Sequence, residues 1–130
     1  MVDVICDTSF LIHLATKRIK NIDTLITEIG QIQFVVPVVV WNELVELQHQ
    51  GTYWTRGGGI KRENALKTLK FAKKLKTIPM SGKYADPFLV EHVKKHGGIV
   101  GTMDKELKSK IKAAGGSVLS FSNDKIVLES

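Results

Sequence analysis

The sequence is short of sulfur chemistry, with one cysteine, Cys6, in 130 residues. A lone thiol excludes an internal disulfide framework and a metal–thiolate centre, and it suits a reducing compartment. Long hydrophobic runs are missing too. The longest, Phe34 to Trp41, has eight residues with Pro37 inside it, far below the roughly 20 that cross a bilayer. The opening Met-Val-Asp-Val lacks the basic, apolar and small-residue order of a signal peptide. No internal repeat or low-complexity linker interrupts the chain. These absences argue against a secreted disulfide scaffold and a membrane span, and the expected location is cytoplasmic.

What is present suffices for a folded core. Hydrophobic residues make up 43% of the chain, and a chain of this size buries roughly two thirds of its unfolded surface. A single domain over residues 1–130 is expected.

The apolar run Val4-Ile5-Cys6 before Asp7 reads as a strand buried on both faces. Ser9 suits the cap of a short helix through about Lys17, and Ile22, Leu25, Ile26 and Ile29 continue at helical spacing until Gly30. Phe34 to Val36 is the second strand. Pro37 suits the first turn of a helix to about Gln50, with Val40, Leu44 and Leu47 on one face.

Gly51 to Gly59 reads as a loop, followed by a helix from about Ile60 to Lys76 and a short strand at Thr77-Ile78. Pro87 to His96 is a helix closed by Gly97-Gly98, and Ile99 to Gly101 a strand. Lys105 to Ala114 is a helix closed by Gly115-Gly116, Val118 to Phe121 a core strand, and Lys125 to Leu128 an edge strand. Strands alternating with helices predict an α/β fold with a parallel sheet covered on both faces.

The net charge of +6 is unevenly spread. Residues 61–76 hold seven basic residues against Glu63 alone, and the rest of the chain is balanced, twelve against twelve. Most charged helix faces are only solvated. Here Lys67, Lys70 and Lys74 form one stripe, which can follow a phosphate backbone. Tyr53 and Trp54, with Arg56 beside them, have the chemistry to stack on unpaired bases, although such a pair more often packs a loop down.

Four acids carry the chemical argument. Asp7 ends the first strand, Asp86 opens a helix, and Asp104 follows the Ile99–Gly101 strand, all in the zone beyond the carboxyl ends of the strands. Glu43 shares a helix face with Val40 and Leu47, which turns its carboxylate inward and calls for a positive partner. Singly, Asp86 and Asp104 can be helix caps, Asp7 can accept turn amides, and Glu43 can pair with a lysine. Together they supply the hard oxygen ligands that Mg²⁺ or Mn²⁺ takes, and such a cluster can position water for attack on a phosphodiester.

The order and neighbourhoods of these acids resemble the PIN-domain ribonuclease family. The matching pieces are Val4-Ile5-Cys6-Asp7-Thr8-Ser9, Val36-Pro37-Val38-Val39-Val40-Trp41-Asn42-Glu43-Leu44, Ala85-Asp86 and Gly101-Thr102-Met103-Asp104-Lys105-Glu106-Leu107, spread over nearly the whole chain. The resemblance implies a three-layer α/β/α fold, its central parallel sheet having strand one in the middle. It also implies a metal-dependent endoribonuclease using Mg²⁺ or Mn²⁺. Carried over, Asp7, Glu43, Asp86 and Asp104 become the catalytic and metal-binding acids, with Thr8, Ser9 and Thr102 as supporting hydroxyls. Many members carry a further acid after the third, where this chain has Pro87, so one metal or two stays open.

The stand-alone form with a Lys-rich helix looks closest to the branch of archaeal and eukaryotic ribosomal-RNA processing nucleases. Toxin ribonucleases of toxin–antitoxin pairs share these acids and this length, and a non-catalytic RNA-binding scaffold of ribosome assembly is the alternative outside enzymes. Clustered like charges disfavour the scaffold. The expected partner is RNA, and no membrane; a second copy of the chain, a pre-ribosomal protein and an antitoxin are the candidate protein partners.

Other readings fall away. A haloacid-dehalogenase phosphatase needs a second Asp where Ser9 stands, and a response-regulator receiver needs an acidic pair at strand one. His92 and His96, four apart on a helix, could chelate a metal, but no third ligand adjoins them and the helix dipole favours histidine at that end anyway. Cys6 reads as core filler.

Overall fold

The computed structural model describes residues 2–17, 30–50, 52–55, 58–80, 85–122 and 125–129. Its strands are β1 Val2–Cys6, β2 Ile32–Pro37, β3 Thr52–Thr55, β4 Gly58–Lys61, β5 Lys76–Ile78, β6 Ile99–Gly101, β7 Ser117–Ser122 and β8 Lys125–Glu129. The helices are α1 Thr8–Thr16, α2 Val38–Gln50, α3 Arg62–Ala72, α4 Ala85–His96 and α5 Lys105–Ala113. The expected helical pattern at Ile22 to Ile29 lies outside the described residues.

Six strands form one sheet in the order β5-β2-β1-β6-β7-β8. All neighbours are parallel except β8, which returns antiparallel along β7. The expected parallel sheet with β1 inside it is therefore observed, with one antiparallel edge. Right-handed crossovers put α1, α2 and α3 on one face and α4 and α5 on the other, and the contacts agree: α3 packs on α1 and α2, and α4 on α5. Val4 and Cys6 in β1, Val36 in β2 and Val100 in β6 are fully buried between these layers. That double burial is why the Val4-Ile5-Cys6 stretch of β1 is continuously apolar instead of alternating.

Several boundaries differ from the sequence reading. The expected loop at 51–59 contains a hairpin, with Thr52 paired to Lys61 and Tyr53 to Ile60; Thr52-Tyr53-Trp54-Thr55 is a strand-prone run, and the glycines after it masked the pairing. The helix expected over 60–76 is shorter at both ends. Ile60 and Lys61 belong to β4, and Lys76 is drawn into β5 by its pairing with Val35. Pro37 ends β2 instead of opening α2. Helix α1 is capped by Asp7, not Ser9.

One glycine is set by packing. A Cβ on Gly101 would lie 2.5 Å from the ring of Phe10, and Phe10 is itself fully buried against Phe34 and Phe121. Because the Phe10 ring of α1 lies against Gly101 of β6, Asp7 and the loop after Gly101 are held together.

Candidate functional site

The chain runs outward from β1 to β2 and β5, then returns to β6 on the other side of β1. This reversal opens a crevice beyond the carboxyl ends of β1 and β6, the usual ligand position in an open α/β sheet. Asp7 leaves β1 at that crevice. Its N–H donates to the Gly101 carbonyl at 3.0 Å, so the two strand ends are joined through the backbone.

Asp7 is 5% exposed. Its Oδ1 accepts from the Phe10 N–H at 2.8 Å and from Ser9 Oγ at 2.9 Å, and its Oδ2 accepts from Thr102 Oγ1. Burial pushes the carboxyl up to about 7, and the Asp86 charge adds to this; the three hydrogen bonds pull the other way without cancelling it. Fully buried Thr102 also accepts from the Asp104 N–H at 3.1 Å, while the Met103 N–H donates to Ser9 Oγ at 3.3 Å. The two loops thus share a hydroxyl network. All three expected supporting hydroxyls take part in acid wiring, because Thr8 Oγ1 donates to Glu43 Oε2 at 3.0 Å.

Glu43 is half-buried, and its other oxygen accepts from the Ala85 N–H at 3.3 Å. The sequence called for a positive partner, whereas among the described residues its hydrogen-bond donors are a hydroxyl and an amide. Such donors stabilise the ionised form less than a cation would, and Glu43 stays raised through partial burial first and the Asp86 charge last. Asp86 is the second residue of α4 and is not its cap. Although largely exposed, it is raised by partial burial, then by Asp104 and Glu106, against the lowering pull of Lys110. Asp86 is therefore the common neighbour: its charge reaches Asp7 and Glu43, and it feels Asp104.

Asp104 is exposed and caps α5, its Oδ1 accepting from Glu106 N–H at 2.8 Å and Leu107 N–H at 3.1 Å. The bland helix-cap role is thus real for Asp104, and the cap uses only one of its oxygens. Among the described residues no three His, Cys, Asp or Glu side chains converge closely enough to hold one ion. The donors have the all-oxygen chemistry that a hard divalent cation takes, and their mutual repulsion is what such a cation relieves. In the present arrangement they share a field without forming a finished cage.

Sequence reasoning missed Glu106 and Lys110, which bear on Asp86 from α5. They are a visible i,i+4 pair, with the Lys110 ammonium 3.3 Å from the Glu106 carboxylate. Only the packing of α5 beside α4 brings them to Asp86. Of the expected RNA-binding residues, Lys67 and Lys70 are exposed on α3, and Lys74 is exposed in the turn after it. Tyr53 and Trp54 sit on β3, paired with Ile60 and Gly59. Arg56 lies outside the described residues.

A parallel sheet carrying acids around the β1–β6 crevice defines a recognisable class. The chain belongs to the PIN-like domain family, whose sequence profile matches residues 4–123. Among solved structures it is similar to the PIN domain endonuclease Utp24, at 30% identity, covering 98% of this chain and 90% of that one, with a TM-score of 0.74. A domain of a functionally unknown protein from Methanocaldococcus jannaschii shares the fold at 18% identity and a TM-score of 0.58, over 94% of this chain and 92% of that one. No curated protein matches the sequence.

Proposed function

We propose that this PIN-like protein is a Mg²⁺- or Mn²⁺-dependent endoribonuclease whose acids are Asp7, Glu43, Asp86 and Asp104. The observation that carries the reading is the junction of the acid-bearing segments beside the β1–β6 crevice: Thr102 Oγ1 donates to Asp7 and accepts from the Asp104 N–H, and Glu43 accepts from the Ala85 N–H next to Asp86. Family membership and the likeness to a PIN domain endonuclease support nuclease chemistry. The resemblance to the ribosomal-RNA processing branch supports a ribosomal RNA precursor as substrate.

In this reading Asp7, Asp86 and Asp104 hold the cation and Glu43 supports it from α2. When bound, the ion would activate water, hold the scissile phosphate and neutralise charge on the leaving oxygen. Ser9 and Thr102 orient Asp7 from two loops, and Thr8 holds Glu43. Lys67, Lys70 and Lys74 hold the phosphate backbone outside the crevice, with Tyr53, Trp54 and Arg56 assigned to unpaired bases.

The test is cleavage of single-stranded and stem-loop RNA with Mn²⁺, comparing wild type with Asp86→Asn. A rate loss of at least about 100-fold with RNA binding retained is expected, the scale seen when a charge-stabilising group is removed. Wild-type protein that binds RNA in Mn²⁺ but leaves it intact would return the chain to the scaffold role.

A further inference from the structure

The last turn of α4 carries a feature that the acidic crevice does not use. His92 and His96 are one helical turn apart, and their ring centroids are 4.8 Å from each other with planes inclined at 46°. A metal–imidazole bond is about 2.0–2.1 Å, which puts each ring centroid roughly 3.2 Å from a bound ion. Two such rings at a coordination angle near 90–110° then have centroids about 4.5–5.2 Å apart. The observed separation falls in that range. We propose that His92 and His96 form a bidentate site for a borderline divalent ion, Zn²⁺, Ni²⁺ or Cu²⁺, separate from the acidic crevice.

The surroundings favour this. The site is at the carboxyl end of α4, where the helix dipole attracts a cation, and the helix ends there at Gly97 and Gly98 with positive φ. His92 is half-buried, and burial followed by the neighbouring His96 holds its imidazole below the ordinary range, in the neutral form that binds metal. Of the two lysines in this last turn, Lys94 and Lys95, the second is paired with Glu91 at 3.8 Å. Imidazole suits Zn²⁺, Ni²⁺ and Cu²⁺, whereas carboxylates suit Mg²⁺ and Mn²⁺. The two ends of α4 therefore sort metals by class, with Asp86 in the first turn and His92 about 9 Å further along the axis. Among the described residues no third His, Cys, Asp or Glu completes the set, so water fills the remaining positions.

The experiment uses the untagged 130-residue chain in excess Mg²⁺, titrated with Zn²⁺ for affinity and with Ni²⁺ for broadening of the histidine ring resonances. Wild type should bind one Zn²⁺, and Ni²⁺ should broaden His92 and His96 before His13 and His49. His96→Gln, at an exposed position, should keep the wild-type melting temperature and weaken Zn²⁺ binding by at least about 10- to 100-fold. His92→Gln should do the same. His96→Gln titrating like wild type, or Ni²⁺ broadening His13 or His49 first, would overturn the site.

Discussion

At Asp7 one buried carboxyl reports the conflict between stability and function. Its group is raised from 3.8 to about 7 in the fold, so between those values the native state binds more protons than the unfolded chain. Stability of the metal-free protein should therefore fall as pH rises from about 4 to about 7 and level off above, a contribution on the order of 4 kcal/mol. Asp7→Asn keeps an acceptor for the Phe10 N–H and should flatten this slope and raise stability at pH 8. Denaturant melts with chelator at pH 5 and pH 8 measure it, and an unchanged slope would remove Asp7 as its source. At Asp104 the helix cap and the proposed metal role separate cleanly. Asn caps as well as Asp, so Asp104→Asn should leave chelated stability within about 0.5 kcal/mol. It should nevertheless abolish most of the stabilisation by Mn²⁺, which arises from binding the native state alone. A thermal shift by Mn²⁺ that survives the substitution would leave Asp104 a cap and nothing more.

Among the elements, α1 and β6 meet where Phe10 covers Gly101. The ring is walled by Phe34 and Phe121, so it has little room to yield, and Gly101→Ala should cost about 1–3 kcal/mol by overpacking. Since Asp7 and Thr102 flank this contact, cleavage should fall along with the melting temperature; a melting temperature equal to wild type would show that the ring moves freely. Helix α3 offers a contrasting test through charge. Replacing Lys67, Lys70 and Lys74 by Gln should weaken RNA binding and flatten its log–log salt dependence by roughly 0.7 per lost phosphate contact on a single strand. The Mn²⁺-induced shift in melting should stay as in wild type. A salt slope identical to wild type would make these lysines a solvated face.

For the molecule as a whole, the order β5-β2-β1-β6-β7-β8 brings the segments that carry the four acids to one edge of the sheet. Asp7 and Asp104 lie close because β1 and β6 pair with Cys6 opposite Gly101. Glu43 and Asp86 join because α2 starts, and α4 starts, beside that same crevice, with the Ala85 amide bonded to Glu43. Among the described residues no helix is long and apolar enough to cross a membrane, in line with the short apolar runs.

Local patterns were enough to determine the α/β alternation, the doubly buried β1, the glycine-closed ends of α4 and α5, and the acids worth watching, because these follow from burial periodicity and backbone stereochemistry within a few residues. The resemblance added the central place of β1 and the expectation that the acids share one site. Tertiary structure alone decided the rest. Thr52-Tyr53-Trp54-Thr55 became a strand only through pairing with 58–61, and Lys76 left its helix because β2 offered it a partner. The placing of Glu106 and Lys110 beside Asp86, the hydroxyl and amide donors on Glu43, and the raised carboxyl of Asp7 all depend on packing between elements far apart in sequence. Desolvation and Coulomb repulsion act through space, and no spacing along the chain encodes which charges will share it.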